Sequence, residues 1–271
     1  MRLAAFGEGR LALIDNGRAR DVTRWAFATS PVRTEDALIA FIHATGRGAP
    51  EGGDIAMPSR FAAPLRHPGK IVAAAANYRK HTLEMHPGEA NPGGIREKGF
   101  FLKAPSSIIG PGEAIRLPFA DRRTDHEAEL AVVIGRGGRD IAPERVADHI
   151  FGYTCLLDIT VRGKEDRGLR KSFDTFTPMG PWVVTRDEIP GAPDLEITCR
   201  VNGELRQRDR TTAMILPVAE LVAWISQVMT LEPGDVIATG TPAGVAPLAP
   251  GDRIEVAIER VGAFEVAVRA A

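Results

Sequence analysis

The stretch Thr124 to Gly135, TDHEAELAVVIG, places three carboxylates at alternate positions and then runs into apolar residues. Residues two apart share a face of an extended strand, so Asp125, Glu127 and Glu129 point one way, followed by Ala131 and Val133. His126, Ala128, Leu130, Val132 and Ile134 point the other way and are mostly core material. An acidic face that turns apolar within one step puts the acids at the mouth of something buried. Carboxylates about 7 Å apart repel by about 2 kcal/mol at an effective dielectric of about 20. Such a group needs a cation, or holds a proton with a raised pKa, or is simply a solvated strand end. All-oxygen ligands suit Mg²⁺, Mn²⁺ or Ca²⁺ better than zinc.

Asp158, in CLLDIT, favours the cation. It follows an apolar run that reads as a buried strand, where an unpaired charge is costly. A metal shared with Glu127 and Glu129 is one partner for it, and Arg162 is the alternative. In NYRKHTLEMH, His81 and Glu84 are three apart and share one face of a helical turn. A carboxylate beside an imidazole orients it and raises its basicity, as a general base for water requires, although such pairs are also common on surfaces. The segment RGKEDRGLRKSFDTF carries Arg162, Lys164, Arg167, Arg170 and Lys171, either closing over an anionic substrate or forming a solvated loop. TGTPAGV offers backbone N–H groups and the hydroxyls of Thr239 and Thr241 to a carboxylate, or is an ordinary turn.

The surrounding chain reads as β-rich. Its 28 glycines and 20 prolines fall between short apolar runs. Strands are expected at 71–75, 130–134, 152–159, 182–185, 196–201, 236–239 and 253–258. GPGEAIRL, EPGDVIAT and APGDRIEV each set Pro-Gly-acid before a strand, as a tight turn needs. Asn16-Gly17 marks a hairpin within RLALIDNGRARDVT. Helices are expected at 217–229, within 30–45, and briefly in PERVADHIF, where Pro143 sits in the first turn. A change of composition between Gly46 and Pro68 divides a small N-terminal α+β domain, 1–65, from a main domain, 66–271.

With 34 basic and 35 acidic residues dispersed along the chain, no electrostatic footprint for nucleic acid or an anionic membrane is present. No apolar run of about 18 residues exists to span a bilayer, and the N-terminus lacks a signal peptide's apolar core. Cys155 and Cys199 are isolated in strand-like contexts and read as buried thiols in a reducing cytoplasm rather than a disulfide.

Taken in order, NYRKH, DHEAELAVVIG, GYTCLLDIT, KSFDTFTPMGPW, VNGELRQ and GDVIATGTPAGV resemble the fumarylacetoacetate hydrolase family, and the likeness runs from about His67 to the C-terminus. The resemblance implies a β-rich mixed α/β fold, a β-roll with a small N-terminal domain, commonly a homodimer. It implies a metal site of Glu127, Glu129 and Asp158 for Mg²⁺ or Mn²⁺, with Asp125 in support. It implies His81 and Glu84 as the water-activating pair and Lys171 as the group stabilising enolate charge. Arg79, Gln207 and Thr241 fall on substrate-contacting positions. The implied reaction is hydrolysis of a carbon–carbon bond in a 2,4-dioxo acid such as acetylpyruvate or fumarylpyruvate, a small anionic oxo acid, with release of pyruvate. Decarboxylation, isomerisation or hydration of a 2-oxo dicarboxylic acid in aromatic catabolism is the alternative, and a non-catalytic relative is a third. Leu157, the Val161-Arg162-Gly163 run and Arg170 depart from the residues many members carry there.

Overall fold

A computed structural model describes residues 1–191 and 193–271, and two β-sheets dominate it. In order of hydrogen-bonded neighbours, the larger sheet runs Gly53–Ile55, Arg18–Asp21, Arg10–Asp15, Arg2–Phe6, Thr177–Thr185, Ile150–Leu157, Ala128–Ile134, Val236–Ala238, Ile71–Ala74 and Phe100–Lys103. Ile108–Ile109 pairs in parallel with the start of Thr177–Thr185. The smaller sheet runs Glu204–Arg210, Glu196–Val201, Arg253–Ile258, Gly262–Ala270 and Ala114–Leu117. The β-rich mixed α/β reading therefore holds.

Alternation explains how the sheets stack. Leu130, Val132 and Ile134 on one strand, with Tyr153, Cys155 and Leu157 on its neighbour, face Ile197, Cys199, Ile254 and Val256 of the smaller sheet in one core. The opposite positions, Ala131, Val133 and Leu156, pack with Leu38 and Phe41 of the helix Ala37–Ala44 in a second core. Both faces of Ala128–Ile134 are thus covered, and every residue of that strand is buried. The first 65 residues do not form a sheet of their own: their four strands extend the larger sheet where Arg2–Phe6 pairs antiparallel with Thr177–Thr185.

The turn chemistry follows the sequence closely. In each of the three Pro-Gly-acid units the glycine has a positive φ, at Gly112, Gly234 and Gly251. The acid then accepts the amide three residues back: Glu113 from Gly110 at 2.6 Å, Asp235 from Glu232 at 2.7 Å and Asp252 from Ala249 at 2.7 Å. Asn16 and Gly17 both take positive φ and close the expected hairpin. The helix expected within 30–45 begins only at Ala37, where Asp36 caps it by accepting from the amides of Leu38 and Ile39. Val218–Val228 is the long helix expected at 217–229, and Pro143–Asp148 is a 3-10 turn. Cys155 and Cys199 are buried free thiols. Among the described residues no helix is long and apolar enough to cross a membrane.

Candidate metal and catalytic site

The acidic strand is interrupted where its charges lie. Thr124–Asp125 pairs with Thr160–Val161, and the ladder resumes only at Ala128. The interruption separates the acids. Asp125 accepts from Arg123 Nε and Arg162 Nε, both at 2.7 Å, and turns away from the other two. Glu127, Glu129 and Asp158 each bring one oxygen to within 4.8 Å of the others, and all three are buried. Arg162 does not pair with Asp158; it joins Asp125 to Glu127, donating to Glu127 Oε1 at 2.8 Å.

Two lysines enter the cluster. Lys171 Nζ lies 2.7 Å from Glu127 Oε2 and 2.5 Å from Asp158 Oδ2. Lys103 Nζ lies 2.5 Å from Asp158 Oδ1 and gives its remaining protons to the carbonyls of Lys171 and Phe176, at 2.6 and 3.1 Å. Burial opposes the Lys171 charge, but Asp158 and Glu127 outweigh it and hold the ammonium above its ordinary pKa. For Lys103 burial wins over Asp158, and its pKa is lowered. Burial also works against Glu127, yet Lys171 and Arg162 keep its carboxyl well below the usual range.

Glu129 is the exception. Among the described residues its side chain has one hydrogen bond, from the Gly240 amide at 2.7 Å. Burial first, and then the Asp158 charge, push its pKa well above that of a free glutamate. Lys103 and Lys171 pair with Asp158 and Glu127, and Arg162 ties Glu127 to Asp125, so among the described residues Glu129 alone of the three acids has no cation within salt-bridge distance. An all-oxygen, buried set with one acid left unpaired fits a divalent hard cation.

The loop after Val236–Ala238 holds Glu129 in place. Gly240 has φ +97°, and a Cβ there would lie 2.8 Å from the Cβ of Asn77. Asn77 is itself fixed, donating to the carbonyls of Leu216 and Thr239 and accepting from the Leu216 amide. Gly240→Ala is expected to cost about 1–3 kcal/mol by strain and contact and to pull the amide from Glu129; chemical denaturation of the variant measures the first effect.

His81 and Glu84 lie on the helix Arg79–Met85, and His81 lines the same cavity as Glu127, Glu129 and Lys171. That cavity has a volume of about 490 Å³. His81 Nδ1 is 3.5 Å from Glu84 Oε2, at the outer limit of a hydrogen bond, and is otherwise unpartnered among the described residues. The Glu84 carboxylate also accepts from the Gly244 amide at 3.0 and 3.1 Å. Burial works against its charge, but the imidazole and that amide prevail and lower its pKa.

The remaining expected residues divide. Thr241 lines the cavity and donates to the Ala128 carbonyl at 2.8 Å. Gln207 is fully buried, and its amide is spent within the protein. Nε2 donates to Thr241 Oγ1 and the Pro242 carbonyl, while Oε1 accepts from the Ala128 amide and faces His126 Nδ1 at 3.1 Å. Arg79 is exposed and donates to Asn91 at 3.3 Å. TGTPAGV does offer backbone N–H groups to carboxylates, Gly240 to Glu129 and Gly244 to Glu84, while the Thr239 and Thr241 hydroxyls donate to the Leu130 and Ala128 carbonyls; sequence reasoning missed Lys103. Lys103 ends the run FFLK, and a lysine closing an apolar strand calls for a buried carboxylate partner.

A β-roll carrying a buried acid triad beside a histidine–glutamate pair defines a class, and residues 70–269 match the model for the fumarylacetoacetate (FAA) hydrolase C-terminal family. The chain belongs to that family. It is 41% identical to the maleylpyruvate hydrolase of Aquipseudomonas alcaligenes, over 99% of both chains. A crystal structure of maleylpyruvate hydrolase from Sphingobium sp. SYK-6, in complex with manganese(II) and pyruvate, superimposes with a TM-score of 0.84 at 37% identity, covering all of both chains. The 5-carboxymethyl-2-hydroxymuconate delta-isomerase of Mycobacterium smegmatis superimposes with a TM-score of 0.77 at 33% identity, also over all of both chains.

Proposed function

We propose that this protein is a divalent-metal-dependent hydrolase that cleaves an acylpyruvate, a 2,4-dioxo acid of the maleylpyruvate or fumarylpyruvate kind, and releases pyruvate. The observation that carries the reading is the buried three-acid cluster in which Glu129 meets no cation, with Glu127 and Glu129 open to the cavity that His81 also lines. Glu127, Glu129 and Asp158 hold the ion, Mg²⁺ or Mn²⁺. When bound, the ion supplies Lewis-acid polarisation of the oxo-acid head.

The chain's own groups supply the rest. His81 takes a proton from water, its ring oriented through Nδ1 by Glu84. The hydroxide adds to the C4 carbonyl, and the C3–C4 bond then breaks with its electron pair passing to the pyruvate fragment as an enolate. Protonation of that fragment gives pyruvate, and the acyl part leaves as a carboxylic acid. The Lys171 ammonium stabilises the enolate charge. Arg79 and Thr241 contact the substrate, and Gln207 holds Thr241. The main domain spans 66–271, and the protein acts as a cytoplasmic homodimer. Purified protein supplied with fumarylpyruvate and Mg²⁺ or Mn²⁺ should release pyruvate; no release with either ion would refute the reading.

A second reading, isomerisation, draws on the isomerase relative, and shares the ion site without needing water to attack C4. The ion itself has a separate signature. Because Glu129 holds its proton above the ordinary carboxylate range, Mn²⁺ must displace that proton. Calorimetry in two buffers of different ionisation enthalpy should show proton release on binding, and affinity should rise with pH until Glu129 is ionised.

A further inference from the structure

The cavity has a second charged region that the acid cluster leaves unused. Lys98, Arg167 and Arg170 line it, and each is only partly exposed. None of the three has a carboxylate partner among the described residues. Lys98 Nζ lies 2.7 Å from His86 Nε2, and Arg167 Nη1 donates to the Lys98 carbonyl at 3.2 Å. Arg170 donates to the carbonyls of Glu165 and Val161 at 2.8 and 3.1 Å.

The nearby acids are committed elsewhere. Glu89 sits 3.4 Å from the other ring nitrogen of His86, Glu97 accepts from the Gly94 amide, and Glu165 pairs with Arg122. The cations also disfavour one another. Burial, followed by the Arg167 charge, lowers the Lys98 pKa, and burial followed by Arg162 and Arg167 lowers that of Arg170. Three cations facing one cavity, with no carboxylate partner among the described residues, form a site for an anion.

Their position relative to the acid cluster identifies which anion. Arg167, Arg170 and Lys171 belong to one short helix, Arg167–Lys171, and at spacings of three and four they share a face. Lys171 reaches Glu127 and Asp158, whereas Arg167 stands one turn back, about 6 Å along the axis. One helical turn therefore carries both the group at the oxo-acid head and a cation at the distance of a short acyl chain.

We propose that Lys98, Arg167 and Arg170 form a subsite for a second carboxylate, at the acyl end of the substrate. The preferred substrates are then dicarboxylic acylpyruvates rather than those ending in a methyl group. This rests on the acylpyruvate reading above, so the test has one arm that needs turnover and one that does not. In the first, kcat/KM is measured for fumarylpyruvate and acetylpyruvate with the wild type, Arg167→Met and Lys98→Met. The wild type should favour fumarylpyruvate by about 10²-fold or more, and each substitution should reduce that preference at least about tenfold, chiefly through KM.

In the second arm, 2-oxoadipate and 2-oxohexanoate, which differ only by the distal carboxylate, are titrated into Mn²⁺-loaded protein. 2-Oxoadipate should bind at least about tenfold tighter, and either variant should erase the difference. Equal affinity of the two acids for the wild type would overturn the subsite. So would a preference untouched by both variants. Absence of pyruvate release in the first arm, with discrimination retained in the second, would refute the hydrolase reading and leave the subsite standing.

Discussion

Replacing His81 by alanine should lower kcat for pyruvate release by about 10²–10⁴-fold, the range that general-base catalysis supplies, while Mn²⁺ binding stays intact. His81 lines the cavity but is not among the clustered acids, so its removal takes away the proposed proton acceptor and leaves the proposed ion ligands in place. Glu84→Gln should have a smaller effect, because the amide still reaches Gly244 and loses only the charge that steadies the imidazole. The pair also separates the two reaction classes. Hydrolysis needs water delivered to C4, whereas isomerisation needs only proton movement along the enolate. His81→Ala protein that hydrolyses at the wild-type rate would remove His81 from the mechanism.

The second large effect is a contrast within the acid cluster. Asp158→Asn should destabilise the protein by about 3–5 kcal/mol, because it strips the anionic partner from Lys103, which is buried, and one of two from Lys171. Glu129→Gln should be close to neutral in metal-free protein, since no cation depends on that charge. Both should abolish the rise in Tm that Mn²⁺ brings to the wild type.

The pH dependence follows the same division. A carboxyl whose folded pKa is raised stabilises the fold below its unfolded pKa, and that contribution is lost as pH rises toward the folded value. Glu127, with a lowered pKa, contributes above the ordinary carboxylate range and loses its contribution only in acid. Between the ordinary range and the raised Glu129 value, metal-free wild type should therefore lose stability with rising pH relative to Glu129→Gln. Parallel Tm profiles for the two proteins in EDTA would contradict the assignment.

What could be read in the sequence was what local chemistry determines. The Pro-Gly-acid turns, the Asn16-Gly17 hairpin and the alternating core residues of Ala128–Ile134 are fixed by neighbours two to four positions away. The acids Glu127, Glu129 and Asp158 were legible because charge next to an apolar run demands an explanation. Lys103 was not, since its meaning lies in Asp158, 55 residues further on. The division of Asp125 from Glu127 came from the resemblance and not from the pattern: uniform alternation puts them on one face, and the break at His126-Glu127 sends one to Arg123. The cationic wall combined RGLRK, visible as a basic segment, with Lys98, which enters from a separate helix, Ile95–Lys98.

Gln207 reaches from Glu204–Arg210 of the smaller sheet and meets the amide of Ala128, where the acidic strand resumes. Its neighbours along the strand are Arg206 and Arg208. A slip of one residue in that strand would turn Gln207 outward and drive a guanidinium against an amide hydrogen and the ring of His126. The smaller sheet thus works as a key with one tooth: a register error made far from the acids during folding would be read out at once as a misassembled site.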